Sequence, residues 1–180
     1  MFENIIKNVH NRHPLIHCIT NYVSINDCAN IVLACGGAPI MAEDINEVSQ
    51  ITSICQGLDI NIGMLNDKKL SSMLKAGATA NELGIPVILD PVGAGSSDYR
   101  IKAVQNLMSN VQFGVIRGNV SEIKAIAAKQ GIHNIAAGVY ETMQKNKSAM
   151  GVEAGIADKI TDDNIKEMAD FINKLSQKTG

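Results

Sequence analysis

Five short apolar runs constrain this chain most: Leu15 to Thr20, Ala38 to Met41, Leu58 to Ile62, Val87 to Asp90 and Phe113 to Ile116. Each is too short for a helix, and each stops abruptly, four of them at a small polar, charged or glycine position and the second at Met41. The stops are Asn21, Met41, Asn61 with Gly63, Asp90 with Gly93, and Arg117 with Asn119. Between the runs lie stretches whose apolar residues recur at helical spacing. Strand and helix in alternation predict an α/β fold, a mostly parallel sheet with helices on both faces. In such a sheet ligands bind outside the carboxyl ends of the strands, where these stops fall.

The helices are expected from their own signals. Phe2, Ile5, Ile6 and Val9 share one face of an opening helix. Ser24 or Asn26 is placed to cap the second, which Gly36-Gly37 ends. Asp44 with Glu47 reads as a capping box for the third, and Asn66 caps the fourth, which closes at Gly84 and Pro86. Tyr99 to Met108 is helical by spacing, and Asn119 starts a helix through Ile126. The pattern loosens from Lys129 to Lys159. Thr161-Asp162-Asp163 then caps a last helix bearing Ile165, Met168, Ala169, Ile172 and Leu175. The whole, residues 1–180, is expected to form one domain with an aliphatic core, since aromatic residues make up only 3% of the chain and tryptophan is missing.

A net charge of −2 without a basic cluster provides no footprint for nucleic acid. No apolar run approaches the roughly 20 residues that cross a bilayer, and Met1 to His13 lacks a signal-peptide layout, so membrane association is not expected and a cytoplasmic location is. Cys18, Cys28, Cys35 and Cys55 form no CxxC pair and are expected to be reduced, mostly buried thiols. His17 and Cys18, adjacent on a strand, should face opposite ways and so form no metal site.

The strand ends carry the chemistry. Asn119 and Glu122 stand three apart at a helix start, so they can offer an amide and a carboxylate to hydrated magnesium, although the same spacing is also an ordinary capping box. Arg117 supplies a planar fork for phosphate, the free N–H groups of the helix start favour an anion, and Asp90 balances the cation's charge. Together these residues suit phosphoryl transfer, in which positioning and charge neutralisation supply most of the acceleration.

The strings HCITNYV (His17 to Val23), GGAPIM (Gly36 to Met41), NIGML (Asn61 to Leu65), LDPVGAG (Leu89 to Gly95) with Tyr99 and Arg100, and IRGNVSEI (Ile116 to Ile123) resemble, in order and spacing, the hydroxyethylthiazole kinases of the ribokinase-like superfamily. The resemblance implies ATP-dependent phosphorylation of the hydroxyethyl group of 4-methyl-5-(2-hydroxyethyl)thiazole in thiamine biosynthesis and salvage, and a homotrimer with sites near subunit boundaries. It assigns Met41, Asn21 and Val23 to the thiazole alcohol, Arg117 and Asn119 to ATP, and Asp90 and Glu122 to Mg2+. Met64 departs from the small or hydroxyl residue usual at that place. The family's catalytic Gly-Thr-Gly-Cys-like loop lies in a later portion with no counterpart here, so no position receives the catalytic role and the fold is expected to be incomplete at its C-terminus. The alternative from another class is a non-catalytic thiazole-binding remnant.

Overall fold

The computed structural model describes residues 2–129 together with Lys166, Ala169, Asp170 and Asn173. The elements in order are α1 (Phe2–Arg12), β1 (Leu15–Ile19), α2 (Ile25–Ala34), β2 (Ala38–Ile40), α3 (Val48–Ile54), β3 (Gly57–Asn61), α4 (Asp67–Glu82), β4 (Val87–Asp90), α5 (Asp98–Asn110), β5 (Val115–Ile116) and α6 (Val120–Lys129). The four further residues are helical and exposed. The loosened stretch after Lys129 and most of the expected last helix, including its cap, lie outside the described residues.

The chain divides into two compact units, one of Met1–Pro91 with Asn106–Arg117, the other of Val92–Gln105 with Gly118–Gly180. The first holds the sheet. Its five strands are all parallel, in the order β2-β1-β3-β4-β5. The chain leaves β1 in one direction to form β2, then crosses back to form β3 on the other side. Because such crossovers are right-handed, α2 covers one face while α3 and α4 cover the other. The packing of α3 on both α4 and β1 agrees with that assignment.

Register builds the core on the α3 and α4 face. Ile19, Ile60, Leu89 and Ile116 are aligned across four strands, and the first three are fully buried. His17, Leu58 and Val87 form the next buried row. Each such aliphatic side chain contributes about 1.5–3 kcal/mol on burial. The opposite face carries Cys18, Asp59, Ile88 and Val115 in register, and its cover thins toward β5: Cys18 is buried, Asp59 half-buried, Ile88 and Val115 exposed.

Several expected ends are observed in detail. The Asn66 side chain accepts from the Lys69 amide at 2.9 Å, capping α4. Gly84, with φ of 68°, ends the same helix, its amide bonding to Asn81 O and that of Ile85 to Ala80 O. Gly36, at φ 90°, ends α2 in the same way. Three local expectations need correction. Asp44 makes no capping box: its Oδ1 accepts from the backbone and side chain of Asn46, closing a turn, and α3 begins only at Val48. Ser24 occupies the N-cap position of α2, yet its hydroxyl donates to Asn21 and accepts from the Cys28 thiol, and caps no backbone N–H of the helix. The last strand is confined to Val115–Ile116, although the amide of Gly114 ahead of it still donates to Val87 O of β4 at 2.9 Å.

Candidate active site

Where strand order reverses, the crossovers diverge from β1 and β3 and leave a crevice at their carboxyl ends. Asn21 follows β1 and Asn61 ends β3, so both stand at that crevice. Asn21 Nδ2 donates to Asn61 Oδ1 at 3.1 Å. Asn61 Nδ2 donates to Asp90 Oδ2 at 2.9 Å, and Arg117 donates to the same oxygen at 2.9 Å. At the other end the backbone and hydroxyl of Ser24 both donate to Asn21 Oδ1, at 3.0 and 3.1 Å. One chain of hydrogen bonds thus crosses the ends of β1, β3 and β4 and reaches Arg117 beyond β5.

Two close approaches tighten this chain. The Gly63 amide donates to Asn61 Oδ1 at 2.8 Å, and a Cβ on Gly63 would lie 2.9 Å from both Asn21 Nδ2 and Asn61 Oδ1. A side chain there would have to displace the amide ends of both asparagines from their mutual bond. Asp90 is largely buried on its side chain, whereas that of Arg117 is 78% exposed and keeps most of its fork turned to solvent. Asp59, one pleat down from Asn61 on the same face, has its carboxyl pushed up to about 6 by burial and by Asp90, against the opposing pull of Arg117.

Beside Asn21 the same crevice holds a cluster that pattern reading missed. Lys69, in the first turn of α4, is 4% exposed. Its ammonium donates to Thr20 O at 2.6 Å and to Glu43 Oε2 at 2.8 Å, and sits 4.5 Å from the centre of the Tyr22 ring. The Tyr22 hydroxyl donates to the other oxygen of Glu43. Burial tends to raise the Glu43 carboxyl, but the hydrogen bonds from Lys69 and Tyr22 outweigh it and hold it below its ordinary value. The bond to Glu43 in turn raises the Tyr22 phenol. The signal available in the sequence was a lysine where a helix dipole disfavours positive charge.

Met41, just after β2, is half-buried, and Val23 is 87% exposed at the β1–α2 connection. His17 is a satisfied core residue. Its Nε2 donates to Ala42 O at 2.8 Å, its Nδ1 lies 2.8 Å from the Thr52 hydroxyl, which also reaches Val48 O at 2.7 Å, and burial lowers its basicity. Cys18 lies on the opposite face, as alternation required, and burial foremost, with Asp59, pushes its thiol up to about 12, which leaves no thiolate for attack. Among the described residues no three His, Cys, Asp or Glu side chains form a metal-holding group.

The second unit contains Asn119 and Glu122. The Asn119 amide donates to Glu122 Oε2 at 2.8 Å while the Glu122 amide donates to Asn119 Oδ1 at 2.9 Å, a reciprocal capping box. The other Glu122 oxygen accepts the Gly93 amide at 2.9 Å, so this 5% exposed carboxylate also fixes the glycine turn after β4, where Gly93 has φ of 65°. Arg100 donates to Val92 O at 2.8 Å in the same turn.

Comparison with known proteins bears on this arrangement. The model of the "Hydroxyethylthiazole kinase family" matches residues 6–169. A hydroxyethylthiazole kinase of Clostridium acetobutylicum is 51% identical over all 180 residues, which span 60% of that relative, and one of Desulfovibrio desulfuricans is 44% identical over the same length, 58% of its own. The solved hydroxyethylthiazole kinase of Pyrococcus horikoshii superposes with a TM-score of 0.69 at 38% identity, covering 78% of this chain and 53% of that one. The chain thus spans about 60% of the length of the curated relatives it matches. By the length of the match and the identity it carries, the chain belongs to the hydroxyethylthiazole kinase family.

Proposed function

We propose that this chain supplies the acceptor-binding and phosphate-facing residues of an ATP-dependent kinase acting on the hydroxyethyl group of 4-methyl-5-(2-hydroxyethyl)thiazole. The carrying observation is the hydrogen-bond chain from Asn21 through Asn61 to Asp90 and Arg117. It ties a candidate acceptor contact to a carboxylate and a guanidinium at a strand-order reversal, where α/β sheets bind ligands. Met41 and the outward Val23 give the thiazole an apolar border beside Asn21. Arg117 spends one nitrogen on Asp90 and offers the rest of its fork to nucleotide phosphate.

The donor set fits magnesium. Asp90 takes Asn61 and Arg117 on Oδ2, which leaves Oδ1 for a hydrated cation. Mg2+ needs only one or two carboxylates when waters and phosphates complete its shell, so the lack of a three-residue cluster among the described residues is no obstacle. When bound, the ion would neutralise phosphate charge. Glu122 and Asn119 keep their assignments to metal and nucleotide as part of the proposal, with the capping box as the device that orients both. A cytoplasmic, thiamine-related role in one ribokinase-like domain belongs to the same reading. So does a homotrimer, supported by α2, which has no buried residue and leaves Ile31 and Leu33 exposed.

Calorimetric titration of the 180-residue chain with the thiazole alcohol and with magnesium nucleotide tests the reading. Binding of both is expected. Binding of the nucleotide without the alcohol would refute the acceptor assignment, and the reverse would favour a thiazole-binding remnant. Sedimentation equilibrium should give three times the chain mass.

A further inference from the structure

Lysine is rarely buried unless it is paired, and the first turn of a helix is an unfavourable place for its charge. Lys69 has both disadvantages. Its partners show what offsets them: Thr20 O from the end of the β1 run, Glu43 from the connection after β2, and the ring of Tyr22 from the connection after β1. The three donors of the ammonium thus point at a carbonyl, a carboxylate and an aromatic face, with none left to grip a phosphate. Each partner lies in a connection at the carboxyl ends of the strands. Thr20 is covalently next to Asn21, the residue that begins the hydrogen-bond chain.

We propose that Lys69 is a positioning residue, a latch that clamps the β1–α2 and β2–α3 connections onto the start of α4 and so holds Asn21 and Tyr22 in place for the acceptor alcohol. The role rests on the thiazole-alcohol reading for its ligand, but the clamp itself does not. Without the ammonium, Thr20 O loses its donor, the Tyr22 ring loses its cation, and Glu43 keeps only the phenol. The connection carrying Asn21, Tyr22 and Val23 is mostly exposed, and beyond the bonds of Asn21 to Asn61 and Ser24 and of Tyr22 to Glu43, the ammonium is what ties it to the start of α4.

Two measurements on the full chain test the latch. In limited chymotrypsin digestion, followed by the appearance of the fragment ending at Tyr22, Lys69→Met should accelerate cleavage on the order of tenfold, Glu43→Gln less, and Lys69→Arg least, because arginine retains donors for both oxygens. In calorimetry Lys69→Met should weaken thiazole-alcohol binding by about tenfold and leave magnesium-nucleotide binding within about twofold, with Lys69→Arg recovering most of the loss. A purely structural role would weaken both ligands alike. Unchanged cleavage at Tyr22 in both Lys69→Met and Glu43→Gln would overturn the latch. Equal acceptor affinity in wild type and Lys69→Met would overturn it too. Should the wild type bind no thiazole alcohol, the functional reading falls, and cleavage alone decides the latch. If Lys69→Met does not fold, Glu43→Gln carries both measurements.

Discussion

Asn61→Asp isolates the central link of the site with almost no change in shape. Asn61 is nearly buried and uses its amide nitrogen to donate to Asp90 and its oxygen to accept from Asn21 and Gly63. The substitution keeps an acceptor for the last two but replaces the donor to Asp90 with a second carboxylate oxygen. At the 2.9 Å separation of the present bond, two unit charges at an effective dielectric of about 20 repel by about 6 kcal/mol. Relaxation of the new side chain and the adjoining Arg117 should halve that, and the lost charge-assisted bond restores part, for a net cost of about 3–4 kcal/mol at pH 8. The sign with pH is fixed: repulsion raises the folded-state pKa of the pair above its unfolded value, so the fold holds a proton that the unfolded chain releases. The penalty is therefore complete above the raised folded value and fades as pH falls through it. Urea midpoints of wild type and variant, followed by far-ultraviolet circular dichroism between pH 4 and 8, should differ by about 3–4 kcal/mol at the top of the range and about 1 kcal/mol at the bottom. A gap that stays constant or widens on acidification would refute the direct contact between Asn61 and Asp90.

Other outcomes follow from the same geometry. Asp59, its carboxyl raised to about 6 mainly by burial, costs the fold stability as pH rises from the unfolded value near 4 toward 6. Asp59→Asn should thus stabilise by up to about 2 kcal/mol at pH 7 and by nothing below about pH 4, read from the same urea titrations. Gly77→Ala would push a Cβ to 2.5 Å from a Val111 methyl, so thermal unfolding should show a loss of about 1–3 kcal/mol despite alanine's better helix propensity. Glu122→Gln leaves one backbone amide of Gly93 or Asn119 facing a donor. Metal-free protein should lose about 1–3 kcal/mol, and a stability unchanged without metal would show that the carboxylate is not needed as a cap.

Local chemistry made much of this legible beforehand. Short apolar runs mapped onto the five strands because a parallel sheet has little need of polar alternation even where, as at Ile88 and Val115, its cover is thin, and Asn66, Gly36 and Gly84 marked helix ends made by a capping oxygen and by left-handed glycines. Asp44 misled because an Asx turn and a capping box use the same residue, and only the path of the following backbone separates them. Asp90 and Arg117 were expected together from adjoining run ends, and they are paired. Lys69 and its partners were out of reach: they come from three separate connections, and their meeting depends on strand order rather than on spacing in the chain.

The polarity of the side-chain bonds across the strand ends has a consequence for selectivity. Arg117 and Asn61 donate toward Asp90, Asn21 donates toward Asn61, and backbone amides of Ser24 and Gly63 occupy the oxygen sides of the two asparagines. Neither amide can rotate by half a turn without setting donor against donor. On the proposed acceptor assignment Asn21 can offer a guest only its second N–H, since its oxygen already takes both donors of Ser24, and such a guest would need a lone pair at that point.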